Sequence, residues 1–233
     1  MLTAMLSAMR FLLEPAPGLV PLKKQDLLVL VGLTGAGKTT LARALGLPTL
    51  PNRRELTDRF VLGEPVSDRV ERFRRVARWR EAHPGGLAEL LAKGHAPPER
   101  LWLFDGLRGE GELAYALSHL PRARFLVLEL DHDTRLLRLL SRRDAFDQTQ
   151  PPPAELAALA KGVVSEAALE KALRLAPAEE VAKKLKIVAE EAKHYGYEGV
   201  RRVLGQSPRA LFLDAKKPVP ELVAAVRSWL GSR

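Results

Sequence analysis

Cysteine is absent from this 233-residue chain, and long apolar runs are absent as well. Without cysteine the chain has no disulfides, no thiolate nucleophiles, no zinc fingers and no iron–sulfur clusters. No apolar run approaches the roughly 18–20 residues that a membrane helix requires. The five His residues form no i,i+4 pair, so no metal-binding His motif is visible. Apolar residues at 46% and charged residues at 28% predict one large globular domain, or a domain with an insertion.

Acidic residues are outnumbered, because 28 Asp and Glu stand against 37 Lys and Arg and give a net charge of +9. Arginine supplies 25 of these 37 basic residues. Its planar guanidinium matches phosphate and carboxylate oxygens in a way that lysine does not. The excess predicts anionic partners, such as nucleotides, phosphorylated metabolites or nucleic acid. A high isoelectric point that serves general solubility is the alternative, and the charge alone leaves both open.

Short apolar runs alternate with helical patterns along the chain. Each run is continuously apolar, which is typical of a strand that is buried on both faces. Strands that alternate with helices predict a parallel sheet covered by helices on both faces. The predicted fold class is therefore α/β, with three layers, a mostly parallel central sheet and a helical insertion. The predicted strands are residues 27–31, 101–104, 125–130 and 210–213.

Changes in composition divide the chain into four segments. Residues 1–26 begin with apolar residues on one helical face and are predicted to be an N-terminal helical extension. Residues 27–147 carry the alternating pattern of the core. Residues 148–207 lack apolar strands and are rich in Ala, Glu, Lys and Leu, which predicts an insertion of two to three helices that serves as a lid or cap. Residues 208–233 return to the pattern of the core as its closing strand and helix.

Residues 32–39, with the sequence GLTGAGKT, match the phosphate-loop pattern G-x-x-x-x-G-K-[ST] in full. The match follows a predicted strand and opens a predicted helix, which makes the predicted three-layer fold a P-loop fold. Glycines allow successive backbone N–H groups to surround one anion, and the helix N-terminus adds its positive end. Lys38 is predicted to reach the β- and γ-phosphates, and the Thr39 hydroxyl to bind Mg²⁺. The predicted nucleotide-binding residues are Gly32, Thr34, Gly35, Ala36, Gly37, Lys38, Thr39 and Thr40.

A carboxylate is needed beside this loop to hold Mg²⁺ or its waters, and Asp105 is the predicted one. It ends the strand 101–104, and the C-terminal tip of a parallel strand adjoins the ligand crevice of such sheets. Asp131 also follows a strand and is the alternative, although its position before a helix favours an N-cap. Arg108 is predicted to lie at the same edge as Asp105 and to suit a second phosphate, with a plain surface arginine as the alternative.

Four segments together resemble the P-loop kinases, most closely the adenylate kinase-like nucleoside and nucleotide kinases. The similar segments are residues 27–45 with the phosphate loop, 103–108 (LFDGLR), 127–143 with its arginines, and 211–223 with the closing strand and helix. The resemblance implies ATP and Mg²⁺ as cofactors. It also implies that Arg138 and Arg142 lie over the transferred phosphoryl group.

The two arginines are four residues apart, which places them on one face of a predicted helix. Paired guanidiniums could neutralise the charge that spreads over the transferred oxygens. An ordinary basic last turn, favoured by the helix dipole, is the alternative. The predicted catalytic residues are Lys38, Asp105, Arg138 and Arg142.

The acceptor side departs from the family pattern. The family's Asp-Gly-x-Pro-Arg lacks its Pro here, and Arg108 comes one residue early. Residues 50–59 do not match the family pattern for a nucleoside monophosphate, so the acceptor stays open. Arg53, Arg54 and Arg108 are predicted to bind an anionic acceptor. Six arginines between residues 69 and 80 fit a solvated face, an acceptor-phosphate wall or a nucleic-acid contact, but no aromatic cluster forms a stacking platform there.

The sequence predicts an ATP- and Mg²⁺-dependent kinase that phosphorylates a small anionic or polar molecule, nucleoside- and nucleotide-like acceptors included. Catalysis would consist mostly of positioning and charge neutralisation. The alternatives are a P-loop ATPase that acts as a switch or binds a partner such as nucleic acid, and a nucleotide-binding protein without turnover. No guanine-specifying N-K-x-D motif occurs, and no water-positioning Gln or Asn is recognisable. The expected location is the cytoplasm.

Overall fold

The computed structural model describes residues 11–66, 69–141 and 154–232. The strands are β1 (Val20–Pro21), β2 (Leu27–Val31), β3 (His95–Ala96), β4 (Trp102–Phe104), β5 (Ala123–Glu129) and β6 (Ala210–Asp214). A four-stranded sheet in the order β4-β2-β5-β6 lies at the centre, and each neighbouring pair in it is parallel. The short strands β1 and β3 pair antiparallel in a second sheet. The predicted parallel α/β sheet is confirmed.

The central strand β2 shows why its sequence is apolar throughout. Successive side chains of a strand point to opposite faces of the sheet. Leu27, Val29 and Val31 belong to one buried cluster, and Leu28 and Leu30 belong to the cluster on the other face. Because helices cover both clusters, every side chain of this strand is buried.

Helices form the two outer layers of the core. The helices are α1 (Lys38–Leu45), α2 (Arg53–Thr57), α3 (Arg69–Ala82), α4 (Leu87–Lys93), α5 (Gly109–His119), α6 (His132–Leu140), α7 (Ala154–Ala160), α8 (Glu166–Leu175), α9 (Ala178–Tyr195), α10 (Tyr197–Leu204) and α11 (Val219–Gly231). A π-helical turn, Asp58–Leu62, follows α2. Helices α1 and α11 pack on one face of the sheet, and α2, α4, α5 and α10 contribute to the cluster on the other face. The chain therefore has the predicted three-layer architecture.

The predicted insertion is helical, and its last helix joins the core. Helices α7, α8 and α9 share an apolar cluster with α6, to which Leu136, Leu139 and Leu185 contribute. Helix α10 instead places Val200 and Leu204 in the cluster against the sheet. The described part of the segment thus holds four helices, one more than the upper estimate, and residues 148–153 lie outside the described part. No described helix is both long enough and apolar enough to cross a membrane.

The predicted N-terminal helical extension is wrong for its described residues, 11–26. Leu12 forms an antiparallel bridge with His95, and a single 3₁₀ turn follows at Leu22–Lys24. Phe11 is fully buried against the core. Pairing with His95 of β3 holds the chain extended at Leu12. Residues 1–10 of the predicted extension lie outside the described residues.

Candidate active site

The loop between β2 and α1 has the backbone of an anion cradle. Gly35 and Gly37 have φ values of 94° and 87°, in the left-handed region that favours glycine. The backbone N–H groups of Gly35 and of residues 37–40 donate no hydrogen bond to another described residue. A row of such free donors at the start of a helix is suited to a phosphate group. The loop therefore fits the phosphates of a nucleotide.

Lys38 and Asp105 lie beside this cradle. The Lys38 ammonium donates a 2.7 Å hydrogen bond to the Gly32 carbonyl oxygen, and its Nζ lies 3.8 Å from Asp105 Oδ1. Asp105 directly follows β4, the strand next to β2, so parallel pairing brings the two side chains to one edge of the sheet. Burial raises the pKa of the Asp105 carboxyl and lowers the pKa of the Lys38 ammonium, and the attraction between the two charges opposes both shifts.

The loop geometry, the Lys38–Asp105 pair and the strand order together decide the architecture. The chain has a P-loop fold. The P-loop follows the strand that pairs with both β4 and β5, so the cradle opens at the carboxyl edge of the sheet, where ligands of parallel sheets bind.

The P-loop fold is similar to several solved kinase structures. A shikimate kinase from Bacteroides thetaiotaomicron is 17% identical, with 88% of this chain and 98% of that chain covered and a TM-score of 0.47. A shikimate kinase from Acinetobacter baumannii, in complex with shikimate, has the same identity and TM-score, with coverages of 89% and 94%. A deoxyadenosine kinase from M. mycoides is 11% identical, with coverages of 88% and 98% and a TM-score of 0.43.

The sequence matches no protein-family model and no curated protein. Because the similar structures have low identities and TM-scores below 0.5, the assignment of the fold rests on the loop and the strand order.

The predicted Mg²⁺ ligands flank the cradle. Thr39 lies in the first turn of α1 and is exposed, and Asp105 lies at the tip of β4. Within the described ranges, no group of three or more His, Asp and Glu side chains could hold a metal ion by itself. Mg²⁺ is usually held by one or two protein oxygens together with the substrate phosphates. Thr39 and Asp105 fit that mode, with the hydroxyl and the carboxylate as the protein's oxygens.

Asp131, the alternative carboxylate, caps a helix. Its Oδ1 accepts a 2.7 Å hydrogen bond from the Thr134 N–H at the start of α6, and its Oδ2 lies 2.7 Å from Lys216 Nζ. Burial opposes ionisation here, but the hydrogen bonds from Lys216 and Thr134 lower the pKa of Asp131 to about 2. The N-cap interpretation of Asp131 is confirmed.

Arg138 projects from α6 beside the P-loop. Its Nη2 donates a 2.9 Å hydrogen bond to the carbonyl oxygen of Ala215, in the loop after β6. Its Nη1 lies 4.0 Å from the place where a Cβ atom on Gly37 would be. The guanidinium is therefore next to the cradle, as a role in charge neutralisation requires. Arg142, the predicted second arginine, lies outside the described residues.

The arginines predicted to bind the acceptor have different surroundings. Arg53 is paired with Glu112. The two terminal nitrogens of Arg53 donate hydrogen bonds of 2.8 and 2.9 Å to the Glu112 carboxylate. Arg54 is exposed and lies 3.7 Å from Asp58. Arg108 is the one of the three that reaches the P-loop region, because it lines one cavity with Gly32 and Leu33 of the loop. An acceptor role for Arg53 would require the pair with Glu112 to open.

Glu112 joins α2, α3 and α5, and its side chain is 1% exposed. Besides Arg53 it accepts a 3.0 Å hydrogen bond from Arg80 and a 2.8 Å hydrogen bond from the backbone N–H of Arg108. Arg80, one of the six arginines of the basic stretch, thus binds a buried carboxylate of the protein, while 34% of its own side chain stays exposed. The carboxylate is the shared counter-charge of two guanidiniums and fixes the loop after Asp105.

We expect Glu112→Gln to lower the free energy of unfolding by about 3 kcal/mol, because the substitution leaves two partly buried guanidiniums without a counter-charge. Chemical denaturation at pH 7 measures this change. Glu110→Gln is the matched control. Glu110 is exposed and pairs with Arg202 at the surface, where solvent screens the charges, so its loss is expected to cost much less than the loss of Glu112. Equal effects of the two substitutions would contradict the role given to Glu112.

Three residues at the P-loop were missed by the sequence analysis. Arg135 is fully buried and donates a 3.0 Å hydrogen bond from Nε to the carbonyl oxygen of Thr34. Glu191, from α9, accepts hydrogen bonds from Thr34 and Arg135. The Tyr197 hydroxyl donates a 2.8 Å hydrogen bond to the carbonyl oxygen of Leu128.

Arg135 could have been noticed in the sequence, because it lies three residues before Arg138 and thus on the same face of the predicted helix. Glu191 had no such signal, because it lies in a helix rich in Glu and Lys and directly follows the exposed Glu190.

Proposed function

We propose that this chain is an ATP- and Mg²⁺-dependent kinase that transfers the γ-phosphoryl group of ATP to a hydroxyl group of a small molecule. The observation that carries the proposal is the row of free N–H groups in the P-loop, with Lys38 and Asp105 3.8 Å apart beside it. A cradle for phosphates next to one cation and one carboxylate is the arrangement that phosphoryl transfer requires.

The proposed reaction moves one phosphoryl group. The acceptor oxygen attacks the γ-phosphorus, the bond from this phosphorus to the β–γ bridging oxygen breaks, and ADP leaves with the electron pair of that bond, while the acceptor hydroxyl releases its proton to water. Lys38 and the loop N–H groups hold the phosphates. Asp105 and Thr39 would hold Mg²⁺, which would supply positive charge to neutralise the phosphates. Arg138 and Arg142 are proposed to neutralise the charge of the transferred group.

The proposed acceptor side is nearly closed. Between the P-loop and the end of α9 lies a cavity of about 10 Å³, lined by Gly32, Leu33, Arg108, Tyr195 and Tyr197 among others. That volume holds about one water molecule. An acceptor therefore requires Tyr195 and Tyr197 to move, and with them the junction of α9 and α10. We propose that this part of the insertion opens to admit the acceptor and closes to exclude water.

The protein contributes at least one charged group, the guanidinium of Arg108, to this side of the site. Arg108 is 42% exposed and lies at the lining of the cavity. Its guanidinium suits an acceptor that carries a carboxylate or a phosphate. Hydroxyl-bearing acids and phosphorylated alcohols are therefore the preferred classes of acceptor, ahead of neutral alcohols.

A screen of small molecules for acceptor-dependent release of ADP tests the proposed function. Hydroxyl-bearing carboxylates, sugar phosphates and nucleosides are each added to the protein with ATP and Mg²⁺. At least one compound is expected to raise the rate of ADP release tenfold or more over ATP alone. A panel in which no class of compound changes this rate would count against a kinase and favour a P-loop ATPase or a binding protein.

A further inference from the structure

The carboxylate of Glu191 lies among donors and cations next to the P-loop. Its Oε2 accepts hydrogen bonds of 2.8 Å from the Thr34 N–H and 2.6 Å from Arg135 Nη2. Its Oε1 accepts a 2.5 Å hydrogen bond from the Thr34 hydroxyl and lies 3.8 Å from Arg108 Nη1. Two guanidiniums, one hydroxyl and one backbone N–H thus surround a single anionic group.

These donors belong to the part of the loop that a terminal phosphate approaches. Thr34 directly precedes Gly35, the first residue of the cradle with a free N–H group. Lys38, which reaches β- and γ-phosphates in such loops, donates to the carbonyl oxygens of Gly32 and Leu33 just before Thr34. The charge of Glu191 also acts on Lys38. The hydrogen bonds and ion pairs of Glu191 are thus with the loop before Gly35 and with Arg135 and Arg108, whereas the free donors at residues 37–40 belong to the other end of the cradle.

The contact joins the insertion to the core. Glu191 is on α9, whereas Thr34 and Arg135 are on the P-loop and on α6. All three polar groups of Thr34 are engaged by this ion pair, since Arg135 Nε donates to its carbonyl oxygen over 3.0 Å. Arg135 is fully buried, and Glu191 supplies its counter-charge. A change in the position of Glu191 would therefore move both the loop and the helix.

We propose that Glu191 is an internal competitor of the terminal phosphate and sets the preference of the site between ATP and ADP. This inference rests on the proposed function. A γ-phosphate brings negative charge to the donors that Glu191 occupies, so ATP must displace the carboxylate, whereas ADP binds with the carboxylate in place. The insertion is docked on the loop without nucleotide and with ADP. Its release from Thr34 when ATP binds is the opening that admits the acceptor, before the insertion closes again over the acceptor.

Only molecules in which Glu191 has left the loop can bind ATP. The apparent affinity for ATP is therefore the intrinsic affinity multiplied by the fraction of such molecules. If the carboxylate is docked in nine molecules out of ten, the apparent Kd for ATP is about tenfold above its intrinsic value. The Kd for ADP carries no such factor. Removal of the negative charge of Glu191 is therefore expected to change the ratio of the two affinities, not both affinities together.

The experiment compares Glu191→Gln with Glu190→Gln by calorimetric titration of each protein with ATP–Mg²⁺ and with ADP–Mg²⁺. Glu190 is the neighbouring residue, is exposed, and contacts His194 on its own helix, so it is a matched control. In Glu191→Gln the Kd for ATP is expected to fall about tenfold and the Kd for ADP to stay within threefold of wild type. Glu190→Gln is expected to resemble wild type for both nucleotides.

Glu191→Asp is the second variant, for use if Glu191→Gln does not fold because Arg135 has lost its counter-charge. This variant keeps the negative charge but withdraws it from Thr34 by the length of one methylene group. It is expected to shift the ATP-to-ADP ratio in the same direction, by about threefold. If wild type binds both nucleotides and neither variant changes the ratio of the ATP and ADP affinities, Glu191 is not a competitor of the terminal phosphate. The proposed function would then remain intact. If wild type and Glu190→Gln bind neither nucleotide, the proposed function fails as well.

Discussion

Lys38→Ala is expected to weaken the binding of ATP–Mg²⁺ at least 100-fold, which is about 2.7 kcal/mol. The ammonium lies beside the cradle, on the first residue of α1, and charge-assisted hydrogen bonds to phosphate are among the strongest in proteins. The side chain is 15% exposed and is bonded to the carbonyl oxygen of Gly32 and paired with Asp105, so it is already held in position. Calorimetric titration with ATP–Mg²⁺ measures the loss.

The fold is expected to survive this substitution. Burial lowers the pKa of Lys38, so the folded state disfavours its charge, and removal of the charge relieves that cost. The melting temperature of Lys38→Ala is therefore expected to stay close to that of wild type. Lys24→Ala, at an exposed lysine before β2, is the control and is expected to bind ATP as wild type does. Binding by Lys38→Ala within threefold of wild type would contradict the assignment of the cradle.

Asp105→Asn is expected to lower kcat at saturating ATP by about 1000-fold, which is about 4 kcal/mol. The substitution keeps the shape of the side chain and removes the negative charge proposed to hold Mg²⁺ beside Lys38. The ATP affinity is expected to change less than kcat, because the loop N–H groups and Lys38 remain. Initial rates of ADP release over a range of ATP and Mg²⁺ concentrations separate the two effects.

The thermal stability of Asp105→Asn is a second measurement. It is expected to stay the same or rise, whereas kcat is expected to fall. Burial raises the pKa of this carboxyl in the folded state, so the folded protein binds its proton more tightly than the unfolded chain does. The resulting stability is fully present below the ordinary pKa of Asp and is lost as the pH rises through the higher folded value. At neutral pH the charge is therefore a cost, and Asp105→Asn is expected to melt no lower than wild type.

Asp26→Asn is the control for both measurements, because Asp26 pairs with Arg122 at an exposed site. It is expected to keep the wild-type rate. An Asp105→Asn variant that unfolds, or that turns over at the wild-type rate, would contradict the placement of Asp105 in the site.

The parts of this fold that local sequence dictates were predictable. Leu27–Val31 reads as a strand buried on both faces because helices cover both sides of β2. The P-loop follows from the spacing of Gly32, Gly37 and Lys38, since their backbone and charge requirements are local. Asp131 was predictable as an N-cap because its partner, the Thr134 N–H, is three residues away.

The parts that depend on distant pairs were not predictable from one sequence. Arg53 was predicted to bind an acceptor, and nothing near it indicates that Glu112, 59 residues further along the chain, takes up its guanidinium. Glu191 meets Arg135 across 56 residues and two helices. In a chain with 37 basic and 28 acidic residues, many such pairings are compatible with the sequence, and packing selects among them.

The fate of the γ-phosphoryl group tests the central claim most directly. ATP labelled with ³²P at the γ-position is incubated with the protein, Mg²⁺ and a mixture of small hydroxyl compounds, and the labelled products are separated. The proposed kinase is expected to place the label in an organic phosphate ester, in amounts equal to the ADP formed, and Lys38→Ala is expected to form none. Label that appears in inorganic phosphate alone, at a rate that no acceptor changes, would contradict the account.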